Sequence, residues 1–157
     1  MTSRRRRRSL PQAVRVGPSS DDAHDVVYFK RHSDDDPQQS VPGRDFLRRT
    51  CPPKVRAQMV AVLTAVAAAP PKRFAGGEYW EAMKGDLIGW FRVNGPQRRH
   101  FRLFCLLDYV AEGLERPLLA VIDGRDKPFR TELSTADYAA VRTLGAEYLR
   151  RNPRSLF

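Results

Sequence analysis

The chain has 157 residues, with 28 Lys and Arg against 18 Asp and Glu and a formal net charge of +10. That length suits one domain with a single hydrophobic core, and 41% hydrophobic residues exclude a wholly disordered chain. No apolar run approaches the ~18–20 residues of a bilayer-crossing helix, and Cys51 and Cys105 stand at no metal-ligand spacing from the histidines.

Residues 1–40 carry eight basic and six acidic side chains, whereas residues 41–157 carry twenty and twelve. Most of the excess charge therefore belongs to the segment that should fold, and an anionic partner is the first expectation. Residues 1–25 are rich in Arg, Ser, Pro and Asp without apolar periodicity, and read as a disordered extension. The arginine run 4–8 is followed by no apolar segment, so a secretory signal is not expected. The run reads either as a solvated tail or as a nucleic-acid arm.

The folding segment is expected over residues 26–157. Val26, Val27, Tyr28 and Phe29 make a short β-favouring run, and 33–43 is a loop with three consecutive Asp and two Pro. A short helix over 44–49 gives way before Pro52 and Pro53. Val55, Met59, Val62, Leu63 and Val66 recur at helical spacing, which predicts a helix over 54–69 that ends at Pro70 and Pro71. A helical turn is expected over 78–83. Strands then take over at 87–93 and 99–110, joined by the turn signal Asn94-Gly95-Pro96, and at 118–122, closed by Asp123-Gly124. Ser134 with Asp137 three residues on resembles a capping box, and it opens a last helix striped by Tyr138, Val141, Leu144, Gly145 and Tyr148. The order β-α(α)-β-β-β-α predicts an α+β fold, a small twisted antiparallel sheet packed against helices.

Side chains alternate along a strand, so parity sorts them by face. If 87–93 and 99–110 form a hairpin, Arg92, His100 and Arg102 share one face with Trp90 and Phe104. Lys84 precedes the hairpin, Arg98 and Arg99 sit at its turn, and Arg125, Lys127 and Arg130 follow the next strand. Cations with aromatics suit a phosphate backbone and its bases. The alternative is that these cations pair with Asp86, Asp108, Asp123 and Asp126. There is no nucleophile elbow, P-loop, dinucleotide glycine pattern or histidine–carboxylate metal motif. His100, alone among the histidines in the expected sheet, is the ordinary candidate for proton transfer near neutrality. Cys105, Tyr109 and Tyr138 read as packing residues.

Three segments taken in order resemble a known family: Trp80-Glu81-Ala82-Met83-Lys84-Gly85-Asp86-Leu87-Ile88-Gly89-Trp90-Phe91-Arg92-Val93, then Phe101-Arg102-Leu103-Phe104-Cys105, then Val121-Ile122-Asp123-Gly124-Arg125-Asp126-Lys127-Pro128. The chain resembles the RelE/ParE toxin superfamily, and within it the HigB-like, phage-derived branch. The resemblance covers roughly residues 26–157. It implies the toxin of a type II toxin–antitoxin pair, cytoplasmic, with a cognate antitoxin, mRNA and the ribosome as partners and no membrane. In the RNA-cleaving branch it further implies a nuclease that uses no metal or other cofactor. Carried onto this sequence, Arg92 and Arg102 would hold the phosphate, Lys127 would supply a point charge or a base, and His100 would move a proton. Lys84, Arg98, Arg99, Arg125 and Arg130 would bind RNA. The chain departs from some relatives in having no Tyr directly after the Lys127 segment; the nearest is Tyr138. Two other readings belong to different classes: a non-catalytic toxin that binds a protein such as DNA gyrase, and a basic nucleic-acid-binding or phage regulatory protein.

Overall fold

A computed structural model describes residues 22–68, 80–83 and 88–157. The arginines at 4–8, the expected helix end at Pro70 and Pro71, and Lys84, Asp86 and Leu87 lie outside the described residues. The chain is α+β. In order it forms β1 (Asp25–Tyr28), α1 (Pro42–Asp45), which runs on as a π-helical turn (Phe46–Thr50), and α2 (Pro53–Ala68). The strands β2 (Glu81–Ala82), β3 (Ile88–Gly95), β4 (Arg99–Asp108) and β5 (Leu118–Pro128) follow, and α3 (Thr135–Leu149) comes last.

The five strands form one sheet in the order β1-β5-β4-β3-β2. β3, β4 and β5 are antiparallel neighbours, as the turn and the alternation predicted. Three differences from the sequence reading matter. β1 pairs parallel to β5, Asp25 opposite Leu118 and Tyr28 opposite Val121, so the sheet is mixed rather than purely antiparallel. Glu81 and Ala82 form an edge strand on β3 where a helical turn was expected. β5 does not close at Asp123-Gly124 but runs on to Pro128, and so takes Arg125 and Lys127 into the sheet.

Helices cover both faces. The stripe Val55, Met59, Leu63 and Val66 of α2 packs on Phe91, Val93, Phe101, Leu103 and Cys105. On the other face Val141 and Tyr148 of α3 meet Ile88, Phe104, Leu106, Ala120 and Ile122. Burying each such side chain contributes ~1.5–3 kcal/mol, which outweighs the weak intrinsic preference of either helix. α3 starts as the sequence indicated. The Ser134 hydroxyl accepts from the Asp137 N–H, and the Asp137 carboxylate accepts from the Ser134 N–H. It ends at Leu149, before Pro153. The C-terminal segment returns to β1, where Leu156 bridges Phe29 and the Phe157 N–H donates to the Tyr28 carbonyl at 2.9 Å. Among the described residues, no helix is long and apolar enough to cross a membrane.

One irregularity in the ladder governs what each face presents. Phe104 is opposite Asp123, but the next residue, Cys105, is opposite Val121. Ile122 is therefore an extra residue, a β-bulge that reverses the in–out parity of the rest of β5. Past it, Gly124 turns to the α2 side, where a Cβ would lie 2.0 Å from Phe46 Cδ2. Phe46 is buried against Phe101, so it has little room to retreat. Gly124→Ala should lower the folding stability by roughly 1–3 kcal/mol, the usual range for overpacking. Urea unfolding followed by circular dichroism checks this, and an unchanged midpoint would show that Phe46 does not hold the bulge.

Candidate nucleic-acid interface

The bulge places Arg125 and Lys127 on the α3 side of the sheet, beside residues that parity had already put there. Across β3, β4 and β5 the register gives two rows: Arg92, Arg102 and Arg125, then Asn94, His100 and Lys127. Directly opposite residues have Cβ atoms ~4.5–5.5 Å apart, and like charges in such pairs destabilise a sheet. Three arginines abreast are thus a feature that folding alone does not favour.

Their partners differ. Arg125 is neutralised locally: Nη2 donates to Asp123 at 2.9 Å and Nη1 to Asp137 at 3.2 Å, which ties the sheet to the capped start of α3. Arg99 lies on the opposite face and pairs with Asp126 at 2.7 Å. For these two the pairing alternative holds. Asp108 is taken by Arg154 and by the Tyr148 hydroxyl, far from the rows. Among the described residues, neither Arg92, Arg102 nor Lys127 forms an ion pair.

Arg102 is buried, at 9% exposed. Its guanidinium lies 4.0 Å above the Trp90 ring, Nη1 donates to the Tyr138 hydroxyl at 2.9 Å, and its buried Nε has no acceptor among the described residues. The cation–π contact supplies ~0.5–2 kcal/mol, but an orphaned donor on a buried charge is costly. A buried arginine held by an aromatic face and a neutral hydroxyl keeps its full charge for an incoming anion.

Lys127 is 7% exposed and donates to the Thr131 carbonyl at 2.5 Å. Burial, and then the neighbouring Arg102 and Arg92, push its pKa down; Glu132 opposes them at longer range. His100 stacks on Phe129 with centroids 4.3 Å apart, and Nδ1 lies 2.6 Å from Asn94 Oδ1. Asn94 accepts there, which puts the proton of the neutral ring on Nδ1 and leaves the Nε2 lone pair open. Burial and then Lys127, Arg92 and Arg102 hold His100 below the usual imidazole range, so it is a proton acceptor at neutral pH.

The rim is built from the two turns. Gln97 and Arg98 take left-handed backbone after Pro96, and Arg130 does so after β5. Arg98 lies over the Phe129 ring, 5.8 Å from its centroid. The structure thus joins Arg92, His100, Arg102 and Lys127, sets Arg98 and Arg130 on exposed turns, engages Arg125 with carboxylates, and removes Arg99 to the other face. The sequence reading put Trp90 on this face, missed Asn94 as a support and took Tyr138 for packing. Helical spacing shows that Tyr138 faces the core, but which strand residue its hydroxyl meets depends on where α3 crosses the sheet. Among the described residues, no three His, Cys, Asp or Glu side chains converge as a metal site would require. No family model, curated protein or solved structure matches this chain.

The lowered His100 pKa has a definite sign in stability. Unfolded His100 takes a proton near pH 6.5 while the folded ring resists it, so below that pH the unfolded state binds more protons. Folding stability should fall as pH drops from about 7.5 to 5.5. His24, whose pKa burial also lowers, acts in the same direction. His100→Gln removes only the His100 share. The difference in urea midpoint between wild type and His100→Gln should move in the variant's favour below about pH 6.5 and stay flat above it. A difference constant across that range would mean that the ring does not feel these cations.

Proposed function

We propose that the protein is the toxin of a type II toxin–antitoxin pair and acts as a metal-independent, ribosome-dependent mRNA endonuclease of the RelE/ParE type, in the HigB-like branch. The observation that carries this reading is Arg102, buried and, among the described residues, without a carboxylate and with an orphaned Nε, in a row of cations beside an open imidazole. Such a row calls for a phosphodiester. The mixed sheet with helices on both faces supports a small RelE/ParE-like sheet, and the net positive charge supports an acidic antitoxin as partner.

The chemistry follows from the groups present. His100 Nε2 takes the proton of the ribose 2′-hydroxyl, with Lys127 as the neighbouring cation or alternative acceptor. The 2′-oxygen forms a bond to its own 3′-phosphorus while the bond to the departing 5′-oxygen breaks, which leaves a 2′,3′-cyclic phosphate and a 5′-hydroxyl. Arg102 and Arg92 carry the charge that develops on the non-bridging oxygens, as preorganised donors that need no reorientation. Tyr138 accepts from Arg102, so its own hydroxyl hydrogen is free to go to the leaving 5′-oxygen. It fills the place for which the sequence offered no tyrosine next to Lys127.

Arg102→Ala should lower mRNA cleavage by ~10²–10³-fold, the usual loss for one preorganised donor. Lys127→Ala should have a similar but smaller effect, and Tyr138→Phe should slow cleavage while leaving RNA binding intact. Primer extension on mRNA in a translating extract reads cleavage, and circular dichroism confirms folding. If Arg102→Ala and Lys127→Ala are folded and cut normally, this site is wrong. Growth arrest by the wild-type protein without RNA cleavage would transfer the reading to a protein target such as gyrase.

A further inference from the structure

The β3–β4 turn has a second side. Where it meets the start of α2, a cleft of about 400 Å³ opens between Pro52, Lys54, Val55 and Gln58 on one wall and Asn94, Gly95 and Pro96 on the other. Ligand sites commonly span ~300–1,000 Å³ and combine apolar walls with a few polar groups. Here Pro52, Val55 and Pro96 are the apolar walls, and Lys54 and Gln58 are the polar side chains. The cleft is coupled to the cationic face through Asn94, which lines it and whose Oδ1 accepts from His100 at 2.6 Å.

The surroundings are positive. Lys54 on the cleft wall, and Arg48 and Arg49 just before α2, are exposed, and among the described residues none of the three forms an ion pair. The first turn of α2 carries no acidic side chain, so its N–H groups add to the positive field.

We propose that this cleft holds a nucleotide further along the strand from the one whose phosphate lies on Arg102, with its base against Pro52, Val55 and Pro96 and its phosphate at Lys54. The inference rests on the RNA-cleaving reading and adds a second subsite to it. An RNA strand then runs from the arginine row over the end of the β3–β4 hairpin and into the cleft. Asn94 marks the crossing, so occupancy of the cleft bears on the orientation of His100. Apolar walls with one amide, Gln58, at the edge accept a flat base without demanding one identity, and the phosphate contact at Lys54 is independent of sequence.

The test uses the full chain and 2′-O-methyl oligoribonucleotides one to five nucleotides long, which cannot be cut, with affinity read by fluorescence anisotropy. For the wild type, affinity should step up when the strand is long enough to reach the cleft. Gln58→Trp, which fills the cleft, should erase that step, and Lys54→Ala should lower the log–log salt slope by about one. Gln58 and Lys54 are exposed, so both variants should fold. Arg102→Ala should weaken binding at every length. A length profile in Gln58→Trp equal to that of the wild type, with the Arg102 dependence retained, overturns the subsite and leaves the nuclease reading standing. Binding that ignores Arg102 overturns both.

Discussion

A single extra residue in β5 sets the character of both faces of the sheet. Before Ile122, the alternation sends Leu119 and Val121 to α2 and Ala120 to α3. Had it continued unbroken, Gly124 and Asp126 would face α3, while Arg125 and Lys127 would press into the apolar layer around Phe46 and Phe101. The bulge averts that burial of charge and turns it to use. It gives Phe46 a backbone surface with no side chain in the way, and it brings Lys127 level with His100. Core packing and the chemistry of the cationic face thus depend on the same irregularity, in keeping with the tendency of bulges to re-aim side chains beside functional sites.

The cations so gathered repel one another, and the molecule handles them unequally. Arg125 is given two carboxylates, one of which also caps α3, so its charge is spent on holding a helix to the sheet. Among the described residues Arg102 receives only the face of Trp90 and the oxygen of Tyr138, groups that steady a guanidinium without cancelling it. The contrast with Arg154 is instructive. That arginine, its side chain 4% exposed, is met by both oxygens of Asp108 with Tyr148 completing the set. Where the fold wants a buried arginine neutral in effect, it supplies an acid. At Arg102 it does not.

Much of this was legible from local pattern. The stripe of α2, the Ser134–Asp137 box and the Asn94-Gly95-Pro96 turn each act within a few residues, and parity on the hairpin then put Arg92, His100 and Arg102 on one face. What escaped was set by distant partners. Nothing in Val121-Ile122-Asp123-Gly124 announces a bulge, because Gly and Asp end strands more often than they interrupt them. The parallel docking of β1 depends on residues more than ninety positions away. Tyr138 shares its stripe with Val141 and Tyr148, and only the crossing of α3 over β4 separates a hydroxyl on Arg102 from two side chains in the core.

The strand order also imposes a sequence of events on folding. β1 leans on residues 118–121 of β5 on one side and on the bridge to Leu156 on the other. On a ribosome, the first strand made has nothing to pair with until almost the whole chain has emerged. The β3–β4 hairpin, by contrast, closes over a tight turn and can form at once. The cationic hairpin is therefore an early structure and β1 a late one, held back by the entropy of closing a loop of about ninety residues. The β1 edge of the sheet is sealed last, by a strand and a tail drawn from opposite ends of the described fold.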